Sequence, residues 1–266
     1  MTTPSDQTEQ PQPRDAGHWA RPVSKLKVSD VPKGAVNLNV EGREVVGPLQ
    51  GFGQMWQKTY RVRLPGVNLT PTEVMSIWKA EFPKFQPPES RFYPPMTGVQ
   101  PGQVMFINLD LPVAPGLPNL IPVNSGVMIL YADDEMFTVM TPAGFPISGW
   151  NTFSVHEEDS SVVAQIQSID RSTDPIYELG SILMGGARRQ EENWIYVLTS
   201  LAKHFGVSGQ VSMHKTCVDP RRQWSEAKNV WQNAGVRTVL YKMAAPVRWA
   251  TGWLRRPSSA KETNES

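Results

Sequence analysis

Cysteine, long apolar runs and an excess of charge of either sign are all scarce in this chain of 266 residues. The single cysteine, Cys217, excludes an internal disulfide and any zinc site that needs two thiolates. No apolar run is long enough to cross a bilayer and no secretory signal opens the chain, so we expect a cytoplasmic protein. The 26 Lys and Arg against 25 Asp and Glu exclude the overall basicity of a nucleic-acid binder.

Motifs of familiar catalytic chemistry are also missing. The sequence contains no Gly-x-Ser-x-Gly elbow, no His-Glu-x-x-His and no phosphate loop that ends in Gly-Lys-Ser or Gly-Lys-Thr. The four histidines lie far apart, and none has a partner at the spacing of metal ligands. We therefore predict no catalytic residues, no metal site and no cofactor.

Bulky apolar side chains and backbone breaks are abundant instead. Nine Trp, nine Phe and eleven Met supply core volume, while 24 Pro and 20 Gly interrupt the backbone, a mixture typical of a loop-rich domain that contains β-strands. Residues 1–35 have no apolar run and residues 257–266 are polar in composition. We expect both to be disordered tails, because such segments cannot offset the entropy of ordering.

The first regular elements are a strand and a capped helix. In QMWQKTYRVRL the apolar side chains share one parity, which predicts a half-buried strand. Thr70 followed by Pro71 and Glu73 forms a capping box at the start of an amphipathic helix, and Pro83 bends or ends that helix.

Short strands and a long helix follow. From about residue 103 to 170, apolar runs alternate with turns at Asp133–Asp134 and between His156 and Ser161, which predicts hairpins and an antiparallel sheet. The pattern changes to helical spacing after Pro175. In GARRQEENWIYVLTSLAKHFG the apolar residues recur every three or four positions, so we predict a long amphipathic helix that stops at Gly206.

This order of elements resembles the helix-grip fold of the START-like (SRPBCC) superfamily, which includes polyketide cyclases and pollen allergens. Residues 47–206 are similar to a little-characterised bacterial and plant branch, in which a Gly-x-Pro-x-x-Gly segment precedes a strand and an Arg-rich start opens the last helix. Gly144, Pro146 and Gly149 match the first feature, and Arg188 with Arg189 matches the second. The resemblance implies an α+β domain over residues 36–210, in which a curved antiparallel sheet wraps around the long helix.

The resemblance also implies an elongated cavity between sheet and helix that binds a hydrophobic or amphipathic small molecule or lipid. The alternative is that the same residues fill a solid core at native packing density. The residues that we expect to line the cavity are Trp56, Tyr60, Met105, Met128, Leu130, Met140, Trp150, Phe153, Trp194 and Leu198.

An enzyme on the same scaffold is the second hypothesis. A cyclase, aromatase or hydratase would need an inward polar side chain, and Tyr131 and Asp110 are its first candidates. Asn108, Thr152 and Tyr177 complete that set. Arg188 and Arg189 could bind a carboxylate at the cavity mouth, although pairing with Glu191 and Glu192 is the simpler role.

Residues 211–256 are expected to form a basic amphipathic helical extension. Between Met213 and Arg256, nine Lys and Arg stand against two acidic residues and are interleaved with Trp, Val and Leu. Such a segment can dock on the acidic main body, a second copy or a partner protein, or it can lie on an anionic membrane surface as part of a peripheral membrane or scaffolding protein. We favour docking, and the modest charge without a known motif disfavours nucleic acid.

Overall fold

A computed structural model describes residues 16–112 and 119–244 of the chain. Within them the strands are β1 (Val45–Val46), β2 (Met55–Leu64), β3 (Ser90–Tyr93), β4 (Val104–Pro112), β5 (Asn119–Ala132), β6 (Met136–Pro142), β7 (Ile147–Glu158), β8 (Ser161–Ser172) and β9 (Ser212–Asp219). The α-helices are α1 (Pro71–Ala80), α2 (Pro175–Leu183), α3 (Gly186–His204) and α4 (Ala234–Met243), and 3-10 turns include Phe82–Phe85 and Trp224–Gln232. No helix in these ranges combines the length and apolar character that a bilayer span requires.

The strands form one curved antiparallel sheet in the order β3-β4-β5-β6-β7-β8-β2-β9, with β1 added beside β6. The predicted hairpins are confirmed. The carboxylate of Asp133 accepts the backbone N–H groups of Glu135 and Met136 in the β5–β6 turn. The β7–β8 turn places Asp159 and Ser160 at positive φ, a conformation that short polar residues tolerate.

The helices begin and end at the predicted signals. At the start of α1, Thr70 Oγ1 accepts the Glu73 N–H, and the Glu73 carboxylate accepts the Thr70 N–H, which completes the capping box. The helix ends before the 3-10 turn that contains Pro83. Helix α2 was not predicted; Gly185, in the left-handed conformation, separates it from α3.

Side chains alternate between two faces of the sheet. The inner face packs against α1 and α3 and forms the main core, which includes Tyr60, Ile129, Phe153 and Ile166. The predicted helix-grip architecture, a curved antiparallel sheet around a long amphipathic helix, is thus confirmed.

The outer face carries a second cluster, which corrects the expectation of a disordered tail as far as residue 35. Leu26 is 2% exposed and packs with Val40 against Phe106 and Met128 on this face. Single apolar residues spaced along a polar segment form this contact, so average composition did not reveal it. Residues 1–15 lie outside the described residues.

The C-terminal region is only partly the helical extension that we expected. Residues 212–219 form β9, which pairs along β2 in the antiparallel sense, because the edge of β2 offers unpaired backbone groups. The chain then turns through Trp224–Gln232 into α4, which packs on β5 with Ala234 and Thr238 fully buried. Docking on the main body is therefore observed for α4, while residues 245–266, including the expected tail at 257–266, lie outside the described residues.

Candidate functional site

A cavity of about 950 Å³ lies between the inner face of the sheet and the N-terminal half of α3. Apolar side chains supply most of its wall, and a few polar groups converge on it, as is usual for small-molecule sites. From the sheet its lining includes Trp56, Lys58, Met105, Ile107, Leu109, Val127, Val139, Asn151, Phe153 and Asp170, and from α3 it includes Ala187, Gln190, Asn193 and Trp194.

The cavity exists because the two halves of α3 pack differently. The C-terminal half places Val197, Leu198 and Leu201, all fully buried, in the main core beside the inner residues of β2. In the N-terminal half, the residues that face the sheet are small or polar, such as Ala187 and Gln190, and they leave the space between helix and sheet open. In the C-terminal half, larger side chains fill the corresponding space. One helix therefore closes the core at one end and covers a cavity at the other.

Aromatic rings form the inner end of the cavity. Phe153 meets the ring of Trp194 edge-on at 5.5 Å between centroids and that of Phe82 at 5.3 Å. Phe137 stacks on Phe153 at 4.6 Å. Contacts of this kind hold large rings in fixed positions, so this end presents a rigid apolar wall.

Polar residues interrupt the apolar inner face in one band of the sheet. Ser168 on β8 lies opposite Lys58 on β2 and opposite Asn151 on β7, so the three side chains form a row across adjacent strands. We call these three residues the polar row. All three are less than 9% exposed, although the strands around them carry apolar residues at the same parity.

An ion pair adjoins the polar row. Lys58 Nζ lies 3.6 Å from Asp170 Oδ1, and both side chains are about 95% buried. Gln190 of α3 connects them: its Oε1 accepts from Lys58 Nζ at 2.5 Å, and its Nε2 donates to Asp170 Oδ2 at 3.3 Å. The buried charges thus compensate each other, as burial in a low-dielectric environment requires.

Several buried polar atoms around the row have no partner. Among the described residues, Asn151 Oδ1, Ser168 Oγ, Trp194 Nε1 and the Tyr60 hydroxyl make no hydrogen bond. Burial, reinforced by the nearby Glu191 and Asp170 carboxylates, raises the pKa of Tyr60 far above that of a free phenol, so its hydroxyl keeps its proton. This density of unpaired groups is costly unless something hydrogen-bonds to them.

Helices α2 and α4 form the rim of the cavity. They are joined where the Tyr177 hydroxyl accepts the Gly235 N–H at 2.9 Å, and burial raises the pKa of that phenol. Exposed apolar side chains extend outward from both helices, and they include Ile176, Leu179, Ile182, Leu183, Leu240 and Met243.

Four of the ten predicted lining residues do line the cavity: Trp56, Met105, Phe153 and Trp194. Tyr60 and Leu198 lie instead in the solid part of the core, beyond the lining. The prediction was wrong for Met128, Leu130, Met140 and Trp150. These four follow the other parity of their strands and lie on the outer face, where Met128 and Leu130 belong to the outer cluster and Met140 pairs with Trp150 near Gly47.

The residues suggested for an enzyme are not brought together. Tyr131 bonds to Asp133 and contacts Trp19 on the outer face, whereas Asp110 lines the cavity and pairs with Arg91 at 3.2 Å. Asn108 hydrogen-bonds to Tyr93 and Asn124 on the outer face, Thr152 bonds to Thr138, and Tyr177 lines the rim. The structure thus corrects the assignment of Tyr131 and Asp110 to one catalytic site.

The arginines at the start of α3 differ from each other. Arg188 is exposed and bonds to Glu192 at 2.8 Å across one helical turn, the simpler of the two expected roles. Arg189 lines the cavity.

The most polar part of the site was not predicted, namely Lys58, Asp170, Gln190 and Asn151. A signal for the first was present, because Lys58 shares the parity of Trp56 and Tyr60 and therefore interrupts an apolar face. Asp170 likewise shares the parity of Ala164 and Ile166. Charged residues at such positions point to a buried site.

The geometry above defines a helix-grip scaffold with a cavity beneath its long helix. No family model matches the sequence, and no curated protein does so. Solved structures with a similar fold include Ara h 8.0201, with 8% identity over 57% of this chain and 97% of that one, at a TM-score of 0.40.

Two further solved structures are similar at the same level. The di-domain ARO/CYC StfQ from the steffimycin biosynthetic pathway shows 12% identity over 57% of this chain and 50% of that one, at a TM-score of 0.41. A START superfamily protein from Mycobacterium smegmatis shows 13% identity over 58% of this chain and 98% of that one, at 0.38. At these values the similarity concerns the fold alone.

Proposed function

We propose that this protein binds a hydrophobic or amphipathic small molecule or lipid in the cavity beneath α3. The observation that carries the proposal is the mainly apolar space of about 950 Å³ between α3 and the sheet. Its volume is at the upper end of the roughly 300–1,000 Å³ that small-molecule sites occupy. A core built only for stability would close such a space, because each unfilled volume costs free energy.

The test is to fill the cavity from one wall. Val127 lines it and is buried, so Val127→Phe directs a ring into the space, whereas Leu130→Phe enlarges a half-buried residue of the same strand on the outer face. We expect Val127→Phe to weaken binding of the neutral fluorescent probe N-phenyl-1-naphthylamine by about tenfold or more, while Leu130→Phe binds like the natural protein.

Native mass spectrometry of the purified protein gives a second measurement. We expect a bound species of lipid or small-molecule mass on the natural protein and on Leu130→Phe, and a reduced amount on Val127→Phe. Equal binding of the probe by all three proteins would contradict the proposal, and so would failure of the natural protein to bind it.

A second candidate function is contact with a membrane surface, favoured by one observation. On the rim, Ile182 and Leu240 line the cavity and are each more than half exposed, and Leu179, Leu183 and Met243 on the same two helices are exposed as well. Exposed apolar groups gathered around a site are typical of surfaces that meet a lipid or a protein. In this candidate function the rim would lie against the bilayer while an apolar ligand passes between bilayer and cavity.

A further inference from the structure

We infer that the polar row and its ion pair form a subsite for an uncharged hydroxyl group, so that the ligand is an alcohol or phenol on an apolar body. This inference rests on the proposed function, because it names the ligand class of the same cavity. It follows from where the polar groups lie, from the balance of their charge and from the hydrogen bonds that they lack.

The polar row adjoins an apolar row on the sheet wall of the cavity. Successive rows across β2, β8 and β7 change from apolar to polar along the cavity. One row contains Tyr60, Ile166 and Phe153, and the next contains Lys58, Ser168 and Asn151. Two of the polar-row residues, Lys58 and Asn151, line the cavity. A ligand that lies along these two rows therefore meets apolar side chains in one and hydrogen-bonding groups in the next.

The two charges of the ion pair compensate each other. Lys58 and Asp170 are opposite charges at 3.6 Å, both buried, and Gln190 bonds to both. An anionic ligand would have to compete with Asp170 for Lys58, and a cationic ligand would have to compete with Lys58 for Asp170. Either would leave one buried charge without its partner, which is strongly unfavourable. The pair thus selects against a charged group and in favour of a neutral one.

Buried donors and acceptors near the polar row lack hydrogen-bond partners among the described residues. Among the described residues, Trp194 Nε1 is a buried donor without an acceptor, and Asn151 Oδ1 is a buried acceptor without a donor. Lys58 has three N–H groups and a single hydrogen-bond acceptor, Gln190 Oε1, within the described residues. A hydroxyl both donates and accepts, so one small neutral group can satisfy partners of both kinds. An ether or ester oxygen only accepts.

The experiment compares ligands of equal apolar size by displacement of N-phenyl-1-naphthylamine from the full-length protein. 1-Octanol and heptyl methyl ether are isomers, so they differ in the hydroxyl proton and hardly at all in apolar bulk. Octanoate and octylammonium carry the same chain with a charge. We expect 1-octanol to displace the probe at a concentration about tenfold lower than the ether does, and lower than either ion, because a site that hydrogen-bonds a hydroxyl rejects the analogue that lacks it.

Two variants assign the effect to the polar row. Asn151→Leu should lose most of the preference for 1-octanol over the ether, measured as the ratio of the two displacement concentrations on the variant itself. Thr152→Leu changes the neighbouring residue, which bonds to Thr138 away from the cavity, and should keep the preference. If Asn151→Leu does not fold, the ligand series on the natural protein still decides the question.

Each outcome has one meaning. Equal displacement by 1-octanol and the ether overturns the subsite while the cavity function stands. Tighter binding of octanoate or octylammonium also overturns it, in favour of Lys58 or Asp170 acting as a counter-ion. Failure of the probe to bind overturns the cavity function and the subsite with it.

Discussion

Asp174 shows how one buried side chain holds the rim of the cavity. It is fully buried, caps α2 by accepting the N–H groups of Ile176 and Tyr177, and accepts from Asn233 Nδ2 at 2.8 Å. Asn233 in turn caps α4 through the Val236 N–H. A single carboxylate therefore connects the first turns of two helices that are far apart in sequence.

The pKa of Asp174 gives a prediction about pH. Burial raises this pKa above its usual value and outweighs the hydrogen bonds that lower it. Because the folded-state pKa is raised, the protonated carboxyl of Asp174 contributes stability that is fully present below the unfolded-state pKa. This contribution is lost as pH rises through the folded-state pKa. We expect the natural protein to lose stability relative to Asp174→Asn as pH rises above about 4, the unfolded-state value, since the variant keeps an acceptor but does not titrate.

Urea unfolding across that pH range measures the effect. Asp174→Ala is the matched variant that lacks the cap, and we expect it to be less stable than Asp174→Asn by about 1 kcal/mol at every pH. Identical pH dependence in the natural protein and Asp174→Asn would show that the pKa of Asp174 is the same in the folded and unfolded states.

At the scale of elements, Gly144 connects the β6–β7 loop to the start of α4. Its φ is +89°, a Cβ atom there would lie 1.9 Å from the Gln232 carbonyl oxygen, and its own carbonyl accepts the Ala234 N–H at 2.8 Å. Only glycine allows this approach, because any side chain would collide with the backbone before α4. The same residue matched the glycine pattern found in the sequence, and the structure supplies its physical reason.

We therefore expect Gly144→Ala to displace α4 as well as to reduce stability. Gly98→Ala is the control: its φ is +86°, and nothing lies within 4 Å of the added methyl group, so it reports the strain of a left-handed residue alone, about 1–2 kcal/mol. Gly144→Ala should cost more than that in urea unfolding and should speed proteolytic cleavage near α4. Equal losses in the two variants, with no change in cleavage, would mean that the loop moves away without affecting α4.

Among the elements, those with local sequence signals could be predicted from the sequence. Capping at Thr70 and the turns at Asp133 and Asp159 depend on neighbouring residues, so local patterns located those elements correctly. The face of a strand was harder to predict. In β5 both parities are apolar, with Val127 inward and Met128 outward, because both faces of this sheet are covered. Alternation carries little information in such a strand, which explains the wrong prediction for Met128 and Leu130, the two residues that lie on β5.

At the scale of the whole molecule, the contacts that the sequence did not predict join residues that lie far apart in the chain. β9 pairs with β2 across more than 150 residues, and Asn39, which precedes β1, donates to the carbonyls of Asn124 and of Ala234, 195 residues further along the chain. Neither segment has a strong pattern of its own. Their order comes from unpaired edges and uncovered apolar faces elsewhere in the fold, which only the assembled sheet presents.

This assembly also determines how the membrane candidate must be tested. A chain that ends at Gly206 would lose β9 and uncover β2, so a change in its membrane binding would have no clear meaning. Single substitutions on the rim avoid the problem. Leu183 is 63% exposed on α2 between Ile182 and Met184, which line the cavity, whereas Leu49 is 72% exposed away from the lining, so Leu183→Glu and Leu49→Glu form a matched pair.

If the rim meets lipid, flotation with vesicles of phosphatidylcholine and phosphatidylserine should fall sharply for Leu183→Glu and stay unchanged for Leu49→Glu. Burying an apolar side chain of this size in the interface contributes about 1.5–3 kcal/mol, which corresponds to roughly a tenfold or larger change in partitioning. A third protein with Arg248→Gln, Arg255→Gln and Arg256→Gln keeps the rim and every apolar side chain, so it should float less on anionic vesicles and equally on neutral ones. Equal flotation of the natural protein and Leu183→Glu would remove the membrane candidate, while binding in the cavity would stand on its own evidence.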